Sequence, residues 1–535
     1  MMYRFNTFIQ KTVIPAKAIT IFFLIFISSC TVRHYGFRSP YYSENELIHK
    51  APRDSSTFLK AHLYDGQVFI FDPQWIVDTL THHIAGQAKI YTAGRKLKDE
   101  GYVKLKTDSV AVFESNNLLK IKNNKRIAAK AIITSADVFL GAICLSMPKA
   151  CFGSCPTFYI DDDSNIMSAR AEGFSNAISP KLGYADTDDL RYVSAGGDTL
   201  SLIMKNEALE THVVQGLKIM SVAKEGGEHV FQTKKGAFYA GKHVKNLQDV
   251  SSLHSDEINN LKYEDGIAYR PAADTQNLVS REEIVLDFGK TAYHRAGLVI
   301  TFRQSLMTTY MLYHAIGYMG DEYSDFMAKL ETSNHLKKRI SDVLFEAMGG
   351  IEIHIYSDGK WQLCETLYET GPIAHNTLIS LIPEQAEKIK LVMNKGLWSI
   401  DYIGLATDIR EVKALESDIL SVEKIESGKS ELLDCWTRAD DYLVSMPGDK
   451  YLVRWVIPGK TAQDNALFLE ASGYYIEWMR SNWLQDKDLK QLNTLLNNPK
   501  KWLRKQTRDY KKYESQMERD FWNSRYLPPQ IVENH

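Results

Sequence analysis

From Phe58 onward the chain alternates apolar and polar residues at the two-residue period of strands, and turn residues cut the alternation at short intervals. Phe58–Leu63 leads into Asp65-Gly66, a hairpin turn signal, and Gln67–Phe71 follows. His83–Tyr91 and Tyr102–Glu114 read as further strands, which predicts a small β-barrel or β-roll over 56–122. Residues 149–280 are expected to be β-rich, with strands at Pro156–Ile160, Ile166–Ala171, Thr199–Met204 and Thr211–Val222. The clearest pattern covers 281–410. Ile351-Glu-Ile-His-Ile-Tyr356 alternates strictly, Asp358-Gly359 turns the chain, and Trp361–Leu367 returns. Ile284–Phe288, Gly297–Phe302, Thr377–Ile382, Lys388–Met393 and Trp398–Leu405 complete the set, and this segment reads as a jelly-roll sandwich.

The period changes to that of a helix between 305 and 349. Phe326, Leu330, Leu336, Ile340 and Leu344 fall on one face, and Gly349-Gly350 stops the run. Residues 411–475 offer two more strands, Tyr451–Ile457 and Ala466–Ala471, with Gly473 as their end. From 476 to 535 the chain turns helical, and Trp502–Trp522 is a charged helix with an aromatic stripe. The expected fold is therefore mainly β and multi-domain, with C-terminal helices.

Two apolar segments do not alternate. Ala18–Ile27 follows a basic leader (Arg4, Lys11, Lys17) and ends in Ser28-Ser29-Cys30. About ten apolar residues are too few to span a bilayer as a helix and fit a signal-peptide core. The Ile-Ser-Ser-Cys ending resembles the bacterial lipobox, in which the Cys becomes the new N-terminus and carries lipid. Residues 1–29 are thus expected to be a lipoprotein signal peptide, Cys30 the lipidation site and 30–55 a tether. Thr31 is not the Asp associated with inner-membrane retention, so the expected location is the cell envelope, on the outer membrane facing the periplasm. The second segment, Ile127–Met147, contains Lys130 and Asp137, each costing about 2.5–3.5 kcal/mol near mid-bilayer. It reads as an apolar connecting segment over 123–148.

Composition then narrows the classes. The 535 residues are 44% hydrophobic and 24% charged, ordinary for globular domains with sizeable cores. Loss of residues 1–29 removes three cations and no acid, leaving 61 basic against 66 acidic residues, a formal −5. No basic excess points to nucleic acid, and no polybasic tract marks an anionic-lipid patch. Membrane attachment is expected through the lipid alone, with an envelope protein or a glycan as partner. Of six cysteines, Cys144, Cys151 and Cys155 cluster, and Cys151–Cys155 is the disulfide that proximity favours in an exported protein.

Several short motifs occur in a fixed order. They are Cys155-Pro156 with Tyr159, the acidic turn Asp161-Asp-Asp163, Glu172, and Asn206-Glu207-Ala-Leu-Glu210-Thr211. Gly297–Arg303, Asp358–Trp361, Asn394–Tyr402, Gly448-Asp449 and Leu469–Trp478 follow. In this order the chain resembles a group of uncharacterised bacterial exported lipoproteins with a Cys-Pro-x-x-Tyr segment followed by β-sandwich-type domains. The resemblance covers most of 150–480 and implies location and architecture, not an activity.

Candidate chemistry is sparse. Asp161, Asp163, Asn165 and Glu172 stand at positions 1, 3, 5 and 12 of a calcium-type loop, so Ca²⁺ is the one cofactor to consider. Ile166 occupies the position that needs Gly, which favours a solvated hairpin turn. Cys151-Phe-Gly-Ser-Cys155 lacks the second cysteine pair of a zinc site. No His-Glu-x-x-His, Gly-x-Ser-x-Gly, phosphate loop or dinucleotide fingerprint occurs. Trp361 and Trp398, with Tyr356 and Tyr402, are the candidate ligand-facing aromatics, against the commoner role of such residues as core. Glu352 and Glu365 are the candidate carboxylate pair for glycosidase chemistry. The expectation is a non-enzymatic binding or scaffold module, the alternative a carbohydrate-active hydrolase or carbohydrate-binding protein.

Overall fold

The computed structural model describes residues 33–40, 46–50, 53–122, 155–160, 168–191 and 198–525, apart from positions 94, 252, 254, 290–294, 369, 418, 427–428, 434–435, 437–440, 458–464 and 480. The expected signal peptide, the lipidation site Cys30, the apolar segment 123–148, Cys151, and Asp161, Asp163 and Asn165 of the acidic turn lie outside the described residues. The protein is mainly β and multi-domain, with helices towards its C-terminus.

The N-terminal module is a seven-stranded antiparallel sheet. Its order is Arg33–Pro40, Val110–Lys122, Leu59–Leu63, Val68–Phe71, His83–Tyr91 and Ile76–Asp78, with Leu97–Lys106 pairing His83–Tyr91. Gly66 takes φ +82° in the Asp65-Gly66 turn, a conformation that favours glycine. The pairings do not close on themselves among the described residues, so the sheet is a roll. Its core holds Leu59, Phe71, Trp75, Ile84 and Phe113, together with Leu47 and Ile48. Residues 33–40 and 46–50 are therefore not tether: they supply an edge strand and a short helix whose apolar residues are buried in this core.

The expected boundaries at 280, 410 and 475 are crossed by strand pairing. Thr199–Lys205 pairs Lys450–Val456, and Glu210–Ala223 pairs Asn465–Glu477. Segments 155–223 and 415–477 thus form one sandwich, here the split sandwich. One sheet has the order Lys429–Leu432, Ile419–Glu426, Lys450–Val456, Thr199–Lys205, Thr157–Ile160 and Ser168–Glu172. The other has Tyr184–Asp189, Asn465–Glu477, Glu210–Ala223 and Leu415–Ser417, with Leu443–Ser445 beside Glu210–Ala223. Gly473 does not end its strand. A Cβ there would lie 2.4 Å from the Val213 carbonyl oxygen, so glycine lets two long strands approach closely and continue to Glu477.

Residues 229–412 form the inserted sandwich. Seven strands centred on Ala296–Gln304, Trp398–Thr407 and Asn376–Ile382 face five strands in the order Asp249–Ser251, Arg281–Asp287, Lys388–Asn394, Ile351–Ser357 and Lys360–Leu367. Both sheets contribute to one core, including Ile300, Phe302, Ile353, Leu391, Trp398 and Ile400. Asp358 and Gly359 both have positive φ, +50° and +75°, as a two-residue hairpin turn requires. Three helices sit between Gln304 and Ile351: α1 (Met307–Met319), α2 (Tyr323–Thr332) and α3 (Asn334–Met348). Near the C-terminus, α4 (Leu489–Asn497) precedes α5 (Pro499–Asn523), whose Trp502, Leu503, Tyr510, Met517 and Phe521 enter the inserted sandwich's core. No helix among the described residues is long and apolar enough to cross a membrane.

Candidate functional site

The groups capable of acid–base or nucleophilic chemistry gather where the modules meet. In the split sandwich, Cys155 stands just before Thr157–Ile160 and is 5% exposed. Burial, then the carboxyls of Glu210, Glu172 and Glu477, pushes its thiol well above the ordinary value, which disfavours the nucleophilic thiolate. The structure thus brings together Cys155, Glu172 and Glu210, which the sequence motifs spread over 56 positions. Glu210 and Glu477 are directly opposite one another across two strands. His212 Nε2 lies 3.2 Å from Glu210 Oε2, and burial lowers this imidazole to about 3, so it is neutral.

Glu172 reaches the inserted sandwich. Its Oε2 accepts from the Ile373 N–H at 2.9 Å, while its own N–H donates to Asp188 Oδ2 at 2.7 Å. Burial, then Asp186, drives the Asp188 carboxyl well above its usual range. Asn376 makes a second tie: its side chain accepts from the Asp189 N–H at 3.2 Å and donates to the Thr187 carbonyl at 2.9 Å. Arg191 bridges Asp189 and Glu264, each at 2.6 Å, and Glu264 accepts from the Thr301 hydroxyl at 3.1 Å. Burial lifts Asp189 to about 6 against the pull of Arg191.

Deeper in the inserted sandwich, Asp401 accepts from the Gly266 N–H at 2.9 Å. Burial and repulsion from Glu264 lift Asp401 to about 7, in the range a general acid uses, yet it is only 2% exposed. His375 Nδ1 is 4.0 Å from it, and burial, then Arg303 and Arg525, lowers that imidazole to about 3. The indole of Trp522 lies between these groups: His375 packs at 4.9 Å, Arg303 at 4.2 Å and Arg525 at 3.9 Å from its rings. Glu518 of α5 receives Arg303 and Arg270 at 3.5 and 3.4 Å and accepts from the Leu306 N–H. A further network joins the N-terminal roll to the rest. Lys60 Nζ is 3.1 Å from both Glu331 oxygens, Arg95 Nε is 3.4 Å from Glu331, and Arg95 donates to the Tyr474 hydroxyl at 3.0 Å.

The sequence candidates fare unevenly. Trp398 is 1% exposed, donates its indole N–H to the Gly349 carbonyl at 3.2 Å and packs edge-on against Phe302, so it is core and does not face a ligand. Trp361 is half-buried on the outer side of the five-stranded sheet. It meets Tyr356 at 5.3 Å, with the Lys390 ammonium 4.9 Å above its ring and Lys388 5.7 Å above that of Tyr356. Glu352 and Glu365 do not face each other. Glu365 is paired with the inward Ile353, whereas Glu352 points outward to Arg281 at 2.8 Å and His354 at 3.0 Å. Of the calcium-type set only Glu172 is described, and it is buried against Ile373. No group of three metal-ligating side chains occurs among the described residues. Cys155 is a free thiol; its expected partner Cys151 is outside the described residues.

Asp401, His375 and Glu264 were not picked out from sequence. A signal existed for Asp401: it is the one acid in Trp398–Thr407, a strand otherwise written in apolar and small residues. No family model, no curated protein and no solved structure matches the chain.

Proposed function

We propose that this chain is a lipid-anchored cell-envelope protein whose sandwiches act as a non-enzymatic binding or scaffold module. The carrying observation is the use to which its ionisable groups are put. Lys60, Arg95, Glu172, Arg191 and Glu518 are each engaged across a junction between modules or with α5. They hold three modules and the helices in one arrangement, as a scaffold requires. Asp401, the group best poised for proton transfer near neutral pH, has almost no contact with solvent. The lipobox-like Ile-Ser-Ser-Cys30 and the signal-peptide core before it supply the envelope address.

A glycan is the second reading for the partner, favoured by the Tyr356–Trp361 pair on an outer sheet face, with Lys388 and Lys390 beside it. The test is fractionation and lipid labelling of the parent and Cys30→Ser chains, with glycan-array and pull-down screens. Loss of lipid and of membrane recovery in Cys30→Ser, together with a retained partner or glycan, is expected. Unchanged membrane association refutes the anchor, and hydrolase activity on envelope substrates with empty binding screens refutes the scaffold.

A further inference from the structure

Helix α5, whose sequence reads as a charged helix with an aromatic stripe, separates its charges from its apolar side. Trp502, Leu503, Thr507, Tyr510, Met517 and Phe521 are buried. Lys500, Lys501, Arg504, Lys505 and Arg508 are all exposed. At about 100° per residue these five cations fall within an arc of about 140°, opposite the buried face. Lys512 and Arg519 project into the same arc, and no exposed acid does. Asp509, which pairs with Lys512 at 2.8 Å, and Asp520 lie outside it. The arc runs about 18 Å along the axis from 500 to 512.

Among the described residues none of those five cations has an ion-pair partner; Arg504 makes a hydrogen bond to Asn277 at 3.3 Å. Helix α3 extends the same field. It packs beside α4 and α5, Arg339 bonds the Asn497 side chain, and Lys337 and Lys338 are exposed. These seven exposed cations belong to a chain of formal charge −2, so the remaining residues carry −9. The charge is segregated, and like charges held this close raise the energy of the free protein in the absence of a counter-surface.

We propose that the α5 face, flanked by α3, docks on the anionic phospholipid headgroups of the membrane that holds the chain. The complementarity is that of a straight, convex row of cations with a flat sheet of phosphates. The row is offered outward rather than into a cleft, and the arc contains no exposed acid to repel headgroups, Glu518 at its edge being buried. The choice of a bilayer over another polyanion rests on the envelope reading above. Two weak signals, one acyl anchor and one basic patch, reinforce each other in membrane attachment. The contact also orients the protein, turning the helical side to the membrane.

The test uses the full chain with Cys30→Ser, so that no lipid is attached, and the same chain with Lys501→Gln, Lys505→Gln and Arg508→Gln. Each is sedimented with vesicles of phosphatidylcholine alone and with about 30 mol% phosphatidylglycerol. At about 1 kcal/mol per cation near such a surface, the three substitutions should lower partitioning to the anionic vesicles on the order of 100-fold. Raising salt to about 0.5 M should do the same to the unsubstituted chain. The leader with Arg4, Lys11 and Lys17 is common to both chains and has its own attraction to anionic lipid, so the loss caused by the three substitutions isolates the patch. The substituted positions are exposed, and an unchanged thermal melt confirms their fold.

Equal binding to neutral and anionic vesicles, or anionic binding that survives the three substitutions, overturns the proposal. So does salt-sensitive binding to duplex DNA or heparin without binding to anionic vesicles. Because Cys30→Ser is common to all arms, these failures leave the anchor untouched. The anchor is judged separately by cell fractionation.

Discussion

Glu331→Gln is the sharpest probe of how the modules are held. Glu331 ends α2, is 10% exposed, and receives Lys60 (side chain 1% exposed) and Arg95 (5%) from the N-terminal roll. Burial alone would raise the Glu331 carboxyl. Lys60 and then Arg95 outweigh it and hold the group below its ordinary 4.5. Removing the anion leaves two buried cations facing a neutral amide, with the Tyr474 hydroxyl and the Ala93 carbonyl still on Arg95. Breaking a buried pair from one side costs about 3–5 kcal/mol, mostly as the penalty of the uncompensated charge. The exchange Lys60→Met, Arg95→Met and Glu331→Leu removes all three charges and should cost far less, within about 1 kcal/mol of neutral.

Urea unfolding at pH 7 with near-ultraviolet signals, and limited proteolysis within 123–154, would follow both the whole chain and release of the roll. The sign with pH is fixed. A carboxyl depressed in the folded state adds stability above its unfolded value, and that stability is lost as pH falls through the folded value. The penalty of Glu331→Gln should therefore be full at pH 7 and shrink below about pH 4. A single mutant within about 0.5 kcal/mol of the parent at pH 7, or a triple mutant as damaged as the single, would refute the reasoning.

Other outcomes follow from the same geometry. Trp398→Ala should cost about 3–5 kcal/mol in denaturant titrations, whereas Trp361→Ala should change stability little and lower any glycan binding seen by calorimetry. Gly371→Ala places a Cβ 2.3 Å from Glu172 Oε2 and 2.4 Å from Ser175 Oγ, so it should lower the melting temperature more than Gly359→Ala, where the site is open and only positive φ is penalised by about 1–2 kcal/mol. Asp401 titrates at about 7 when folded and 3.8 when not, so stability should fall by about 4 kcal/mol as pH rises from 4 to 8 on its account. Asp401→Asn should flatten that part of the pH–stability curve and gain stability at pH 8. With a thiol reagent under native conditions, half-exposed Cys364 should react while buried Cys155 stays unmodified until unfolding.

The sequence by itself determined the local elements. Strict alternation at Ile351–Ser357, turn pairs at Asp65-Gly66 and Asp358-Gly359, and the helical period through 326–344 depend on neighbours along the chain, and the strands and helices stand close to where those patterns put them. It also carried the candidate address at Cys30. The tertiary structure decided what depends on partners distant in sequence. Pairing of Glu210–Ala223 with Asn465–Glu477 turned three expected units into one sandwich inserted in another, because an alternating strand specifies its buried face and not its neighbour. Glu172 reads as the last ligand of a calcium-type loop and Glu210 as part of a short motif, whereas folding buries both beside Cys155. Trp361 and Trp398 share an aromatic identity, and only the choice of sheet face separates surface from core. The cations of α5 are interleaved with Trp502, Leu503 and Tyr510, so along the chain they dilute one another's signal. Docking of the apolar side onto the inserted sandwich gathers them into a single outward stripe.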